Sequence, residues 1–495
     1  MPKGRSAATR LLGDGYGRIV WTLTGDRSRW DGTTPMAIAQ MVCWCLLAAA
    51  AMLPTAASAG DVDLVEQGRR IFFAETFDGN GRTCGSCHPA DNNYTIDPAY
   101  IARLPAGDPL LAADFLDDPV LLRKLGLVTV HADGFDRPGL QRGVPTLLGI
   151  ARSLTPDFGA IGNRVHALGW SGDGVPEGGS LRDFATGAVR EHMARTPARI
   201  AGVDFRPPTA QELGALAAFM RSLGRRASDE LELSEFIGVT FRSPLVDAGR
   251  ELFNREESGP CALCHRNGTA LNEGGFNGMF DIGVQRRRDT PARRLRPDLP
   301  ADGGFGRCPP RTPTPAAGCG DGRFNTPSLI EAADTVPSFH DNSAATIEEA
   351  VRFYTTRTFR SSPEGQTLNI RLDSADIVAI AALLRTLNAL ENIRSSNLFL
   401  SQALGRTATA ARPLLRLAVA DTDDAAAVLT GGPQQLYSEA VTLIRGARLL
   451  ARAAALVPAT QVRDYLLRRA IELQSRARGL MYVPAPALGD LTGRS

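Results

Sequence analysis

The chain has 495 residues, of which 43% are hydrophobic and 22% charged, enough apolar sequence for two or three globular domains with buried cores. This composition excludes a disordered or fibrous protein. The formal net charge of +2 gives no sign of a nucleic-acid partner. The eight cysteines are the most informative residues, and their reading depends on the N-terminus.

An apolar segment near the N-terminus predicts export. Residues 41–53 form its core, and the small residues 57–59 follow as an A-x-A cleavage site, so residues 1–59 are expected to be a signal-peptide region with Met36 as a second candidate start. The core is shorter than the roughly 20 residues of a membrane span, although a retained membrane helix is the alternative. Cleavage would leave a periplasmic, near-neutral chain with no permanent membrane span.

Four of the cysteines that remain after cleavage stand in two C-x-x-C-H motifs, at residues 84–88 and 261–265. In c-type haem attachment, two thiols so spaced bond to the two porphyrin vinyl groups, and the histidine binds the iron. One motif alone would also suit a thioredoxin-like redox pair or half of a zinc site. Two copies favour two covalent haems c. The predicted attachment residues are Cys84, Cys87, His88, Cys261, Cys264 and His265.

The two motifs lie within a longer repeat. A segment that begins with glycine and ends with phenylalanine precedes each motif, at residues 68–72 and 249–253. Apolar residues at helical spacing follow each motif at a distance, at residues 213–223 and 377–387. The repeat predicts a mainly α protein with two tandem cytochrome c domains, 60–227 and 245–392. In each, an N-terminal helix would pack on a closing helix.

Residues 280–325 are rich in Arg, Pro and Gly and show no helical period, which predicts a long surface loop. Cys308 and Cys319 lie within it and are expected to form a disulfide in an oxidising compartment. The arginines at 286–288 suit a solvated face, with an anionic partner or a haem propionate as the alternatives.

Residues 393–495 carry further helical patterns. Apolar residues recur from Leu436 to Leu450 and from Val462 to Leu473, with a break at Pro458 and a candidate cap at Thr460. The pattern predicts a helical hairpin. It is expected to pack on the preceding domains, with a partner-binding or dimerising surface as the alternative; the oligomeric state is not predicted.

Residues 61–392 resemble the bacterial di-haem cytochrome c peroxidase and MauG-like family. Several segments are similar to the family's motifs: Arg142 to Leu147, Trp170 with residues 172–174, Phe324 to Leu329, Val336 to Asp341, and Thr346 to Val351.

The resemblance implies roles for individual residues. His88 would be the proximal ligand of the haem at which the family reacts with peroxide, and His265 that of the haem that relays electrons. Trp170 would lie between the two haems, with a core aromatic as the alternative. Tyr354 falls where the family has a second axial ligand, methionine in the peroxidases and tyrosine in MauG; a buried structural tyrosine is the alternative.

The chain also departs from the family's pattern around the first haem. The peroxidases have a distal histidine soon after the first motif, but here no histidine occurs between His88 and His131. The family's distal Gln and Glu would fall on Phe184 and Ala194, which cannot move a proton.

Other side chains must then supply the proton transfer that peroxide cleavage needs. Glu191 and His192 are the candidate catalytic groups, and His166 is a third. The alternatives are a solvated carboxylate for Glu191 and a surface or core-edge histidine for His192. Thr335 and Pro337 match two contributors to the family's calcium site, but its asparagine is Gly143 here, which leaves calcium doubtful.

The sequence therefore predicts an exported oxidoreductase. Hydrogen peroxide would react at the first haem, and an electron-donor protein or an oxidisable substrate would supply electrons through the second. A non-catalytic electron-transfer cytochrome is the first alternative. An oxygenase that acts on an apolar substrate, as the haem-containing rubber oxygenases do, is the second.

Overall fold

The computed structural model describes residues 59–132, 134–153, 180–224, 239–255, 261–270, 277–300, 302–304 and 322–483. The fold is mainly helical, as predicted. Its α-helices are α1 (Ala59–Ala74), α2 (Cys84–Cys87), α3 (Pro98–Ile101), α4 (Pro119–Leu125), α5 (Ile150–Ser153), α6 (Leu181–His192), α7 (Ala210–Ser222), α8 (Pro244–Asn254), α9 (Pro291–Leu295), α10 (Ile347–Phe353), α11 (Arg357–Arg360), α12 (Pro363–Thr367), α13 (Ser374–Ala403), α14 (Ala408–Thr430), α15 (Ser438–Leu456) and α16 (Thr460–Gly479).

Six short strands form three antiparallel pairs. They are β1 (Leu127–Val130) with β2 (Leu140–Gly143), β3 (Thr240–Phe241) with β6 (Tyr482–Val483), and β4 (Met279–Phe280) with β5 (Phe324–Asn325). Because β3 precedes α8 and β6 follows α16, their pairing joins the start of the second half to the end of the helical C-terminal region.

The first half is built on the crossing of α1 and α7. At Gly68 a side chain would not fit, since a Cβ there would lie 1.9 Å from the carbonyl oxygen of Ala215 on α7. Four residues later, on the same face of α1, Phe72 packs edge-on against Phe219 with 5.1 Å between ring centroids. The missing side chain therefore lets the two helices approach closely enough to bury this aromatic pair.

The second half repeats the arrangement with α8 and α13. A Cβ at Gly249 would lie 2.0 Å from the carbonyl oxygen of Ala379 on α13, and Phe253, four residues later, is buried in the shared core. The predicted pairing of an N-terminal helix with a closing helix is thus present in both halves. The helix starts are fixed locally: Thr209 with Glu212, and Asp373 with Asp376, form capping boxes at α7 and α13.

The described part of the segment 280–325 is largely irregular, but it packs against the first half, which the sequence did not predict. α9 lies in this segment, and its Ala292 packs with Leu121 and Leu127 of the first half. Arg296 also pairs with Asp118, with 2.7 Å between Nε and Oδ2. The few apolar side chains of the segment are too widely spaced to give a helical period, so their burial depends on the partner surface. The segment connects the two halves.

The C-terminal region packs on the second half and shares its core. Residue 392, the predicted domain boundary, lies inside the continuous helix α13. The predicted hairpin is present as α15 and α16, and α14, which the sequence did not predict, packs between α13 and α15. Leu429 of α14 and Ile444 of α15 are buried with Leu384 of α13 in one cluster. In the described ranges, no helix has both the length and the apolar character needed to cross a membrane.

The buried face of α16 differs from the predicted face. Val462 was expected to pack inward but is 52% exposed, whereas its neighbour Arg463 is 1% exposed. Arg463 can be buried because its guanidinium donates hydrogen bonds to the carbonyl oxygens of Val457 and Pro458 at 3.3 and 3.2 Å. Helix α16 begins at Thr460 with Ala459 in the capping position, so the predicted cap is displaced by one residue.

Three carboxyl groups lie close together where the C-terminal region meets the rest of the chain. Asp334 Oδ2 accepts hydrogen bonds from the amides of Asn388 (2.7 Å) and Asn392 (2.8 Å) of α13, while Asp421 and Asp424 face it from α14. Burial, together with the charge of Asp424, raises the pKa of Asp334 to about 7. Burial also raises the pKa of Asp424 to about 6 and that of Asp421 well above its usual value.

Adding a methyl group at either crossing glycine should destabilise the fold. Gly68→Ala and Gly249→Ala are each expected to lower the free energy of unfolding by about 1–3 kcal/mol, since the helices must separate. Gly187→Ala is the control, because Gly187 lies in α6 with open space around it and alanine favours helix. Denaturant unfolding measures all three. Equal stability of Gly68→Ala and Gly187→Ala would contradict the close helix approach.

The buried carboxyl groups should make stability fall as pH rises. A carboxyl whose pKa is raised by folding binds its proton more tightly in the folded state, so stability is lost between its unfolded pKa near 4 and its folded pKa near 7. Asp334→Asn should therefore reduce the loss of unfolding free energy between about pH 5 and about pH 8 by roughly 1 kcal/mol or more. The exposed Asp91→Asn serves as control. An unchanged pH profile in Asp334→Asn would refute the assignment.

Candidate functional site

A large cavity is lined by residues from both halves of the chain. Its volume is about 400 Å³, and its walls are mainly apolar side chains. Phe72 and Phe253, which follow the two crossing glycines, both form part of its wall. All the cysteines and histidines of the two C-x-x-C-H motifs also line it, at Cys84, Cys87, His88, Cys261, Cys264 and His265.

The first motif is held by hydrogen bonds around α2. Ser86 Oγ accepts from the backbone N–H of Thr83 (3.0 Å), which fixes the short helix that carries both cysteines. The Nδ1 atom of His88 lies 2.8 Å from the carbonyl oxygen of Tyr94, and this bond identifies Nδ1 as the protonated nitrogen. The other ring nitrogen, Nε2, therefore carries a lone pair that could bind a metal.

The second motif repeats this geometry on a different local structure. Cys261 begins a short 3₁₀ turn (Cys261–Leu263), and the Nδ1 atom of His265 lies 3.0 Å from the carbonyl oxygen of Pro327. The Nε2 atom of His265 could therefore also bind a metal. In both halves a backbone carbonyl from a downstream loop sets the orientation of the imidazole.

Burial keeps these groups uncharged. It lowers the pKa of His88 and His265 to about 4, so both imidazoles are neutral near pH 7 and suited to be ligands. Burial also raises the pKa of Cys84 to about 12 and that of Cys264 to about 11, so these cysteines are protonated thiols. The structure has the four motif cysteines as free thiols.

His192, the last residue of α6, lies on the cavity wall with the first motif. The segment before the motif holds this end of α6: the amide of Asn80 donates to the carbonyl oxygens of His192 (3.0 Å) and Ala194 (3.1 Å). Gly79 permits this approach, because a Cβ there would lie 2.0 Å from the carbonyl oxygen of Met193. Burial lowers the pKa of His192, which leaves a neutral imidazole facing the cavity.

Glu191 does not line the cavity with His192. Its Oε1 atom lies 2.7 Å from Nδ1 of His131 and 3.6 Å from Nη2 of Arg199. Burial alone would raise the pKa of Glu191, but the hydrogen bond from His131 and the nearby cationic side chains lower it. Glu191 is therefore an ionised partner of His131 outside the cavity, although it is adjacent in sequence to a cavity residue.

Tyr354 follows α10 and lies on the cavity wall in the second half. Its ring packs edge-on against Phe353 and Phe359 at 5.6 and 5.1 Å between centroids. Burial raises the pKa of the Tyr354 phenol strongly, and the nearby thiols of Cys264 and Cys261 raise it further. The side chain predicted as an axial ligand thus lies beside the second motif as a neutral phenol.

Three residues to which the sequence analysis assigned no role form a polar cluster at the cavity, whose wall includes Arg142 and His340. Arg142 and Asp302 form a buried pair with two bonds of 2.9 Å, and Asp302 lies 4.0 Å from Nε2 of His340. His340 stacks on Phe324 with 4.2 Å between centroids, and its Nδ1 atom is buried without a hydrogen-bond partner in the described chain. In the sequence His340 belongs to the segment from Val336 to Asp341 that resembles the family, but no role was assigned to it. Nothing in the sequence pairs residue 142 with residue 302.

The position of the family's calcium-site asparagine is closed to a side chain. A Cβ at Gly143 would lie 2.1 Å from Oδ1 of Asn342, which occupies this space and donates through Nδ2 to the carbonyl oxygen of Leu125 (2.8 Å). Thr335 and Pro337 do line the cavity. Among the described residues, no group of three or more His, Cys, Asp or Glu side chains is arranged to hold a metal ion.

Some predicted residues fall outside the described part of the chain, namely Trp170, His166, Cys308 and Cys319. Ala194 is buried, and Phe184 lines the cavity, where it offers no proton-transferring group. The cavity thus brings together the two motifs, His192, Tyr354, His340 and Arg142, and Asp302 is the partner of Arg142.

No protein-family model matches the chain, and no curated protein matches it.

Proposed function

We propose that the protein is an exported di-haem c-type oxidoreductase of the cytochrome c peroxidase and MauG-like kind. Haem c would be held by Cys84, Cys87 and His88 in the first half, and by Cys261, Cys264 and His265 in the second. The observation that supports this most strongly is the shared geometry of the two motifs. Both line one apolar cavity, and each histidine has Nδ1 bonded to a carbonyl so that Nε2 is free to bind iron.

Other features of the cavity also fit two haems. Its wall is mainly apolar, as a porphyrin face requires, and the thiols are protonated and buried beside the histidines. The unpartnered Nδ1 of His340 lies on the same wall, where a polar edge of a ligand could satisfy it. Haem c bound there would supply an iron that binds hydrogen peroxide and exchanges electrons with a second iron.

In this proposal His192 carries out the proton transfer at the first site. Cleavage of the peroxide O–O bond needs a base that takes a proton from one oxygen and returns it to the other. His192 faces the cavity, and its lowered pKa leaves a ring nitrogen free to accept that proton near pH 7. Glu191 has a structural role instead. Its carboxylate is bonded to His131 and so holds the end of α6.

Tyr354 would set the chemistry of the second site. Its phenol is neutral in the buried cavity, so binding to iron requires loss of the phenolic proton. A phenolate is a hard, anionic ligand, which stabilises ferric and more oxidised iron relative to a thioether. Such a partner favours oxidation of a substrate or donor protein at the surface over low-potential electron carriage.

The first experiment is a mass and an EPR spectrum of the exported, purified protein. The proposal expects the added mass of two haems and one high-spin ferric signal that disappears on addition of hydrogen peroxide. Two low-spin signals that peroxide leaves unchanged would indicate an electron-transfer cytochrome. Peroxide-independent oxidation of an apolar polymer with uptake of dioxygen would indicate the oxygenase alternative. A chain without haem would refute all three.

Tyr354→Phe tests the axial ligand. Loss of the phenol should change the low-spin EPR signal of the second site and raise its reduction potential, because an anionic ligand to ferric iron is removed. Retention of the ring keeps the packing with Phe353 and Phe359, so the thermal unfolding midpoint serves as the control. An unaltered low-spin signal would leave Tyr354 as a structural tyrosine.

His192→Gln tests the proton-transfer role. Removal of the base should slow the reaction with hydrogen peroxide by about 10²–10⁴-fold, the usual contribution of general acid–base catalysis. Glu191→Gln is the matched control, because it lies one residue earlier and keeps an acceptor for His131. Stopped-flow absorbance follows both variants. A loss in Glu191→Gln as large as that in His192→Gln would contradict the assignment.

A further inference from the structure

The end of the α15–α16 hairpin presents an unusual exposed surface. Four large side chains on the half of the hairpin that contains the turn at residues 457–459 are more than half exposed. They are Leu456 (85%), Leu449 (64%), Tyr465 (63%) and Val462 (52%), here called the hairpin tip. Leu456 ends α15 and Val462 lies in the first turn of α16, so they flank the same turn.

The tip is flanked by arginines on the same helix faces. On α15, Arg445 and Arg452 are exposed and lie four residues before and three after Leu449, so they share its face. On α16, Arg468 and Arg469 are exposed and lie three and four residues after Tyr465. Residues 438–479 contain eight arginines and three acidic residues, and of these arginines only Arg463 is among the buried residues, so the hairpin carries an excess of positive charge.

Two of the acidic residues are already bonded. Asp464 accepts from the backbone N–H of Gly405 at 3.1 Å, and Glu472 pairs with Arg469. Asp423 of α14 also pairs with Arg448 and lies 3.8 Å from Arg452. Arg445 and Arg468 have no ion pair within the described part of the chain, so the hairpin keeps an excess of positive charge that suits a negatively charged partner.

The tip is held in shape by the buried Arg463. Besides the carbonyl oxygens of Val457 and Pro458, its guanidinium donates to the carbonyl oxygen of Arg406, in the turn between α13 and α14. Two turns at one end of the helical region are thus joined by one side chain. Because Arg463 and not Val462 faces the interior of the helical region, Val462 and Tyr465 are on the solvent-exposed side of α16.

We infer that the hairpin tip binds the surface of an anionic lipid bilayer. Apolar side chains at the end of a hairpin can enter the boundary between headgroups and acyl chains without a complementary pocket, while arginines beside them contact the phosphates. Tyrosine is typical of this depth, since its ring is apolar and its hydroxyl polar. An acidic protein would satisfy the charge, but it would also need a concave apolar site for Leu456.

Vesicle binding of the exported, purified full protein tests the inference. Flotation with vesicles that contain about 30 mol% phosphatidylglycerol should recover the protein, vesicles of phosphatidylcholine alone should not, and added salt should weaken binding. Leu456→Ser with Tyr465→Ser, and separately Arg445→Gln with Arg468→Gln, should each weaken binding about tenfold or more.

Val203→Ser is the matched control, because Val203 is 65% exposed in the first half of the chain. It should leave binding unchanged. All variants share one N-terminus, whose mass is measured, so any retained leader contributes equally to each. Since the substituted side chains are exposed, circular dichroism should show unchanged thermal unfolding.

Several outcomes would overturn the inference. They are recovery with neither vesicle, equal loss in the Val203 variant, or binding only to a soluble acidic protein. A concentration-dependent dimer that the tip variants abolish would also overturn it and would assign the surface to a second copy of the chain. None of these outcomes bears on haem content or peroxide reactivity, so the proposed function is tested separately.

Discussion

The cavity depends on two helix crossings. At each crossing one residue must be glycine, because the facing helix leaves no room for a side chain. Gly68 and Gly249 allow α1 and α8 to lie directly against the backbone of α7 and α13. One turn further along, Phe72 and Phe253 project from the same helix faces into the cavity wall. A glycine at the crossing and an aromatic ring one turn later is thus a single geometric unit. Its repetition in the chain explains why two C-x-x-C-H motifs meet equivalent surroundings.

The two halves form one site because polar side chains join them at the cavity. The pair of Arg142 and Asp302, the backbone hydrogen bond from Gly143 to the carbonyl oxygen of His340 (2.8 Å), and the amide of Asn342 beside Gly143 all connect the first half with the second. These groups are buried, so each needs its partner to avoid the cost of an unsatisfied charge or hydrogen bond. Such contacts set the relative position of the halves more strictly than apolar packing would.

The sequence predicted the parts of the fold that rest on local patterns. Helical periods identified α7 and α13, and the motif spacing identified the cavity residues. It did not predict which way adjacent side chains turn at a helix end, as for Glu191 and His192, because that depends on Asn80 and His131 from distant segments. It also missed the inward face of α16, where Arg463 replaces an apolar residue by bonding to carbonyl oxygens. A hydrogen bond between residues that are distant in the sequence produces no periodic pattern of apolar residues, so it cannot be predicted from such patterns.

The helix α13 has a consequence for how this chain can vary. Its 30 residues span about 45 Å, and its two ends belong to different apolar clusters, one around the second motif and one within the C-terminal helices. The predicted domain boundary at residue 392 lies in the middle of this rod. The C-terminal helices are therefore not a removable module but part of the same folding unit. A chain that ended within α13 would leave apolar side chains of both clusters without the partners that bury them.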